Sequence, residues 1–120
     1  MVIGQNMIEE LKLNYIYSKR EREEYMNILL MKVTLRASWV QSLKEKRMVV
    51  KSIVQKLKNK FNISVAEVDD QDIHKTIVIG IAGICANSSQ SDSTMENIIN
   101  FIECNTDAEL IDIQKEDIRN

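Results

Sequence analysis

The chain has 120 residues, of which 44% are hydrophobic and 28% charged, and its net charge is −2. This length and composition are those of one globular domain that folds without disulfides or a metal, and they exclude a disordered chain. No apolar run reaches the ~18 residues of a membrane span. Residues 1–4 are too short a segment, and lack the basic residues, to begin a signal peptide. We therefore expect a cytoplasmic protein without membrane contact.

The first 25 residues differ in composition from the rest of the chain. Ile8, Leu11 and Tyr15 suit one face of a helix, whereas the alternation of apolar residues in KLNYIYS suits a strand, and both interpretations stay open. A mixed charge run, SKREREE, follows and is typical of a solvated helix or linker. We predict an N-terminal extension over residues 1–25, dispensable for folding, and one domain over residues 26–117.

The first half of that domain predicts a strand, a helix and a second strand. In MNILLMKVTLRAS the apolar residues alternate, as in a strand with one buried face. Ser42 and Glu45 then form the capping-box pattern S-x-x-E, which predicts the start of a helix. Apolar residues recur at steps of three, four and seven up to Phe61, and Asn62 suits a left-handed cap. The segment NISVAEVDD predicts the second strand.

The second half predicts a strand, a helix and a final strand after the polar turn DDQDIHK. TIVIGIAGICA is almost continuously apolar, which favours a central strand that is at least partly covered on both faces. NSSQSDS predicts a loop, and Ser93 with Glu96 is expected to cap the second helix. AELIDIQK predicts the last strand. The fold class is therefore α+β, a ferredoxin-like β-α-β-β-α-β domain with two helices on one face of a four-stranded antiparallel sheet.

Two motifs resemble those of a known family. SLKEKR, from Ser42 to Arg47, precedes an apolar and basic helix, and N-x-S-V-A-E-V-D with a following Q-D lies between Asn62 and Asp72. This pattern, over about residues 26–115, resembles the YlxP-like family of small bacterial proteins of unknown function. The resemblance implies a ferredoxin-like fold and a gene neighbourhood of translation initiation and small-subunit ribosome maturation. It implies no catalytic residue, and relatives usually begin at the first strand.

The first helix is the strongest functional signal. Residues 43–61 contain seven Lys or Arg and one acidic residue, Glu45, so acidic partners one turn away are almost absent. At 100° per residue, four of these cations fall within about 60° of arc beside the apolar face. We name this set the basic stripe; its members are Lys44, Arg47, Lys51 and Lys58. A solvated helix face would show the same pattern, but the missing acidic partners and the ribosomal context of the resemblance favour an anion-binding surface.

Other candidate sites are weaker. Trp39, just before the helix, could stack on a base, although the interpretation favoured here is that it covers the end of the core. His74 lies near Asp69, Asp70 and Asp72, but one histidine in a polar turn is ordinary and lacks a partner at metal-ligand spacing. Cys85 and Cys104 lack C-x-x-C spacing and are expected to be small buried residues. We predict no catalytic residue, metal or cofactor.

Two functional hypotheses follow. The first is a non-enzymatic RNA- or ribosome-binding protein that uses the basic stripe, with Ser42 and Glu45 as a purely structural cap. The second is an interaction module, a weak homodimer or partner-binding protein that pairs through a sheet edge, because no proline blocks either edge. Glu67 could in either case pair with the basic helix.

Overall fold

The structure, a computed structural model, describes residues 7–12 and 26–119. Residues 7–12 form a short helical segment. The domain that follows has six elements: β1 (Asn27–Arg36), α1 (Leu43–Lys60), β2 (Ser64–Asp69), β3 (Thr76–Cys85), α2 (Ser88–Asn105) and β4 (Glu109–Arg119). This order confirms the predicted ferredoxin-like α+β arrangement.

The four strands form one antiparallel sheet in the order β2-β3-β1-β4. β1 pairs with β3 along its full length, from Asn27 opposite Cys85 to Arg36 opposite Thr76. The predicted central position of β3 is confirmed, since β2 and β1 flank it. The two edge strands, β2 and β4, each contain a bulge, after Glu67 in β2 and opposite Leu35 in β4.

The core lies between one face of this sheet and the two helices. Along β1 every second side chain from Leu29 to Leu35 is buried, because successive side chains of a strand point to opposite faces. α1 packs against β2, and α2 contacts β1, β3 and β4. The helices bury the residues that their apolar spacing predicts: Val50, Ile53 and Leu57 from α1, and Met95, Ile98 and Ile102 from α2.

The opposite side of the sheet carries no helix among the described residues, and we call it the open face. The strand register gives most of its members: Ile28, Leu30, Lys32, Thr34 and Arg36 of β1; Thr76, Val78, Gly80, Ala82 and Ile84 of β3; Ser64, Ala66 and Asp69 of β2; and Glu109, Asp112, Gln114, Glu116 and Ile118 of β4. The bulge residue Val68 packs over Gly80 on the same face. β3 is covered on this side only in part, because Val78 is buried whereas Ile84 is 74% exposed.

A polar cluster closes the core at the end where β1 begins. The fully buried Asn27 amide donates to both carboxylate oxygens of Asp117 on β4, at 2.9 and 3.0 Å, and to the Ser88 hydroxyl of α2 at 3.1 Å. These hydrogen bonds hold the pKa of Asp117 below its usual value of 3.8, Asn27 contributing most, although partial burial opposes them. The carboxylate also lies at the N-terminus of α2, where the helix dipole favours a negative charge. The Asp117 carboxylate of β4 thus helps to hold β1 and the start of α2 together.

Two predicted helix caps were wrong. α2 begins five residues before Ser93, because Asn87 is the N-cap: its side chain accepts from the Gln90 amide at 2.8 Å, and the Gln90 side chain accepts from the backbone N–H of Ala86. NSSQSDS is therefore mostly helix rather than loop. α1 ends at Phe61 in extended backbone, with no left-handed cap at Asn62.

Two further expectations are corrected. Cys85 is buried as predicted, but Cys104 is exposed on α2. β4 runs to Arg119, four residues beyond the predicted end at Lys115, because its register with β1 continues to Asn27.

Most of the N-terminal extension lies outside the described residues, including the predicted charge run and most of KLNYIYS. Residues 7–12 are helical, and the apolar side chains of Met7, Ile8 and Leu11 are exposed. The division of the chain at residue 26 stays a prediction.

Removal of residues 1–25 is expected to leave the melting temperature within a few degrees of the full chain. The reason is that β1, both helices and the other strands already form a closed two-layer core from Asn27 onward. Calorimetry of the two chains measures the difference. A loss of more than about 10 °C, which corresponds to roughly 2 kcal/mol in a domain of this size, would show that the extension packs on the domain.

Candidate nucleic-acid interface

The start of α1 is fixed by its predicted cap. Ser42 has an extended backbone, and its hydroxyl accepts from the Glu45 amide at 3.2 Å. Its carbonyl accepts the first helical hydrogen bond, from the Lys46 amide. A cap of this kind contributes about 1 kcal/mol to helix stability. Ser42 is therefore the helix cap that the sequence indicated. Glu45 takes part through its backbone amide, and its side chain makes no hydrogen bond back to Ser42 among the described residues.

The basic stripe lies on the exposed side of α1. Its four side chains are all exposed, and none makes an ion pair or hydrogen bond with another described residue. The buried residues of α1 centre between Lys46 and Leu57, and the helical spacing puts the stripe about 120° from that direction. From Lys44 to Lys58 the stripe extends about 21 Å along the helix at 1.5 Å per residue. The predicted placement beside the apolar face agrees with this geometry.

Lys46 differs from the other cations of α1, because it is only 1% exposed. Its ammonium lies 3.0 Å from Glu67 Oε2 on β2 and donates to the backbone carbonyl of Asp70. Asp70 is the one described non-glycine residue with a positive φ, 53°, in the turn that leaves β2. Lys46 is one of the seven cations counted between residues 43 and 61, and its burial was not predicted. The predicted pairing of Glu67 with the basic helix is what the structure contains.

The sequence held a signal for this burial. Lys46 stands four, seven and eleven residues before Val50, Ile53 and Leu57, so it occupies the apolar face of α1. A lysine at such a position needs a partner for its charge. Glu67 in the second motif supplies that partner, so SLKEKR and SVAEVD meet in the folded protein.

Trp39 does not lie with the basic stripe. The indole is 44% exposed in the loop between β1 and α1, rather than packed over the end of the core. It lines a depression of about 300 Å³ with Met48, Ser52 and Lys56. These residues occupy the other side of α1, toward the end of α2. Base stacking on Trp39 and phosphate contacts to the stripe would therefore involve different surfaces.

The turn between β2 and β3 shows no metal geometry. His74 is exposed, and among the described residues no cluster of three His, Cys, Asp or Glu side chains could hold an ion. Asp69 instead lies 3.7 Å from Lys32 of β1. Within residues 7–12 and 26–119, no helix is long and apolar enough to cross a membrane.

The described domain has a ferredoxin-like arrangement, and its helix α1 carries an exposed basic stripe. Residues 28–115, about three quarters of the chain, match the family described as "Protein of unknown function (DUF503)", and the chain belongs to that family. A similar protein is "Uncharacterized protein YlxP" of Bacillus subtilis (strain 168), 37% identical over 62 residues. That match covers 52% of this chain and 67% of the relative.

Proposed function

We propose that this protein is a non-enzymatic, cytoplasmic RNA- or ribosome-binding protein that contacts phosphates through the basic stripe, acting in small-subunit maturation or translation. The observation that carries the proposal is the set of four exposed cations without an acidic partner among the described residues. Lys and Arg that are not neutralised locally release counterions from a phosphate backbone, which drives association.

The rigid mounting of α1 supports this proposal. The buried contact of Lys46 with Glu67 and the Ser42 cap hold the helix against β2, so the stripe keeps a fixed direction. A fixed array of cations loses less side-chain and backbone freedom on binding than a flexible basic tail. Because phosphate contacts carry no sequence information and Trp39 lies away from the stripe, we expect shape- or charge-dependent binding with little base preference.

The test changes two stripe residues and compares them with two cations on the other side of the same helix. Lys51→Glu with Lys58→Glu is expected to weaken binding to single-stranded RNA for all sequences alike. With four phosphate contacts the wild-type chain should show a log–log salt slope of roughly −3, and the double variant a flatter one. Fluorescence anisotropy from 50 to 300 mM salt measures both the affinity and the slope.

Lys56→Glu with Lys60→Glu is the charge control, because it changes the net charge by the same amount on the same helix. Lys56 also donates to the Asn105 carbonyl at 3.2 Å, so the melting temperature of this variant is measured as well. Its salt slope should remain near the wild-type value. Equal weakening by both double variants would show a general charge effect and contradict the proposed surface. Salt-independent binding, or wild-type ribosome association by the stripe variant, would also contradict it.

The alternative function is protein–protein interaction through a sheet edge. Both edges are available in the domain, but each contains a bulge and charged side chains, such as Asp69 on β2 and Glu116 on β4. These features are the ones by which natural sheets discourage edge pairing. Copurification from lysate, with and without nuclease, separates the two functions, because only an RNA-dependent partner is lost on nuclease treatment.

A further inference from the structure

The open face has a strongly apolar end. Ile84 of β3, Ile28 of β1 and Ile118 of β4 lie side by side in one row, since Ile28 is directly opposite both of the others in the register. Leu30 continues this surface in the next row of the same face. Ile84 is 74% exposed and Leu30 43% exposed, and no described element covers them. Adjacent exposed apolar side chains on a sheet face are typical of an interaction surface.

This apolar end combines a ridge with a trough. β1 contributes the large side chains of Ile28 and Leu30, whereas the neighbouring positions on β3 and β2 are Ala82 and Ser64. A depression of about 320 Å³ lies over these small residues, lined also by Ile28 and Ile84. A ridge and a trough side by side on one surface are self-complementary, which is the property that a two-fold interface requires.

We propose that the open face is the contact surface for a second copy of this chain, with β1 of each copy seated over β3 of the other. A two-fold axis parallel to the strands, between β1 and β3, places Ile28 opposite Ile84 of the second copy and Leu30 opposite Ala82 of the second copy. At full overlap, an axis across the strands would bring the isoleucine row onto the charged end of the face, where Arg36 lies opposite Glu109, and burial of those charges disfavours it.

Charge at the other end of the face is compatible with this pairing. Lys32 lies 3.7 Å from Asp69 within the same copy, and Arg36 is opposite Glu109 in the register. The cations of β1 are therefore flanked by acidic residues of their own sheet. The pairing places Asp112 of β4 opposite Asp69 of the second copy, and the Lys32 ammonium beside each Asp69 offsets this like-charge contact in part. An isolated basic ligand or nucleic acid gains little from such a balanced surface, whereas a second apolar face gains from burial.

The area of the open face predicts weak association of two copies. Four strands about 4.8 Å apart and ten residues at about 3.3 Å each give roughly 600 Å² per copy, or about 1,200 Å² in total at full overlap. This value is at the lower limit of stable protein–protein interfaces. We therefore expect the full chain to associate in the micromolar range and to dissociate on dilution.

Sedimentation of the full chain from 5 to 500 μM tests the proposal with three variants. Ile84→Glu should abolish association while the melting temperature stays the same, because this side chain is already exposed. Ile73→Glu is the matched control, since Ile73 is an exposed isoleucine in the β2–β3 turn, and it should associate like the wild type. Ile28→Lys should also be monomeric alone but should associate when mixed with Ile84→Glu, because the two introduced charges face each other.

A dimer that forms only when Ile28→Lys and Ile84→Glu are mixed would show that the open face is the contact surface. It would also show that Ile28 lies opposite Ile84 of the second copy. A monomeric wild type at 500 μM would overturn the proposal, including the case in which residues 1–25 cover the face instead. Undiminished dimerisation of Ile84→Glu would place the contact elsewhere, for instance at a sheet edge, and would overturn it too.

Discussion

Lys46→Met is expected to lower the free energy of unfolding by about 3 kcal/mol. The substitution keeps the length and apolar stem of the side chain but removes the charge that faces Glu67. Removing one partner of a buried ion pair typically costs about 3–5 kcal/mol, because the remaining charge stays out of water without compensation. The Glu67 side chain is 18% exposed, so some water reaches it and the lower value applies. Urea unfolding at pH 7 measures the change.

Two companion variants separate the ion pair from other effects. Lys44→Met makes the same change at an exposed position of the same helix and should cost less than about 0.5 kcal/mol. Lys46→Met combined with Glu67→Leu removes both charges and should recover most of the loss, as paired apolar replacements often do. Equal stability of Lys46→Met and Lys44→Met would show that the contact with Glu67 does not stabilise the fold.

Asn27→Ala is expected to lower the melting temperature by roughly 10 °C at pH 7. The fully buried amide of Asn27 donates to an ionised carboxylate, and such bonds are about twice as strong as neutral ones. Its loss separates β1 from Asp117 and from the first turn of α2. Calorimetry measures the change, with Asn97→Ala, at an exposed position of α2, as the control.

The effect of Asn27→Ala should depend on pH. The pKa of Asp117 is lowered in the folded protein, chiefly by Asn27, so its stabilising contribution is complete above pH 3.8 and is lost as the pH falls toward the folded-state value. The variant lacks most of that contribution. Its deficit relative to the wild type should therefore be constant from pH 5 to 7 and shrink below about pH 4. A deficit that is equal at pH 3 and pH 7 would show that the cost is cavity formation alone.

Residue patterns predicted the fold because each element carries its own local signal. These signals are the alternation in β1, the Ser42 cap and the apolar run of β3. Each depends only on residues that are close in sequence, so each was recognised without knowledge of the fold. The start of α2 was missed although its signal was also local, since the Asn87 side chain accepts from the Gln90 amide and the Gln90 side chain accepts from the backbone N–H of Ala86. The serines that follow suggested a loop because serine competes with helical hydrogen bonds in unfolded chains.

The candidate site was predictable only in part, because burial and partners depend on distant residues. Helical spacing sufficed to place the basic stripe, which is a property of α1 alone. The role of Lys46 depended on Glu67, twenty-one positions later, and the exposure of Trp39 depended on how α2 ends beside it. The polar contacts of Asn27 with Asp117 span ninety positions and left no pattern in either segment.

The contact between Lys46 and Glu67 changes what a motif search can report. In SLKEKR, Ser42 caps the helix and Lys46 forms a buried ion pair with Glu67 of SVAEVD. Both signatures therefore describe the same contact between α1 and β2. Only Lys44 and Arg47 within the first signature face outward as part of the basic stripe. A search with these two signatures therefore retrieves chains that share an architecture, whatever they bind. Under the proposed function, chains that share the ligand would be distinguished by positions 51 and 58, which lie beyond both signatures.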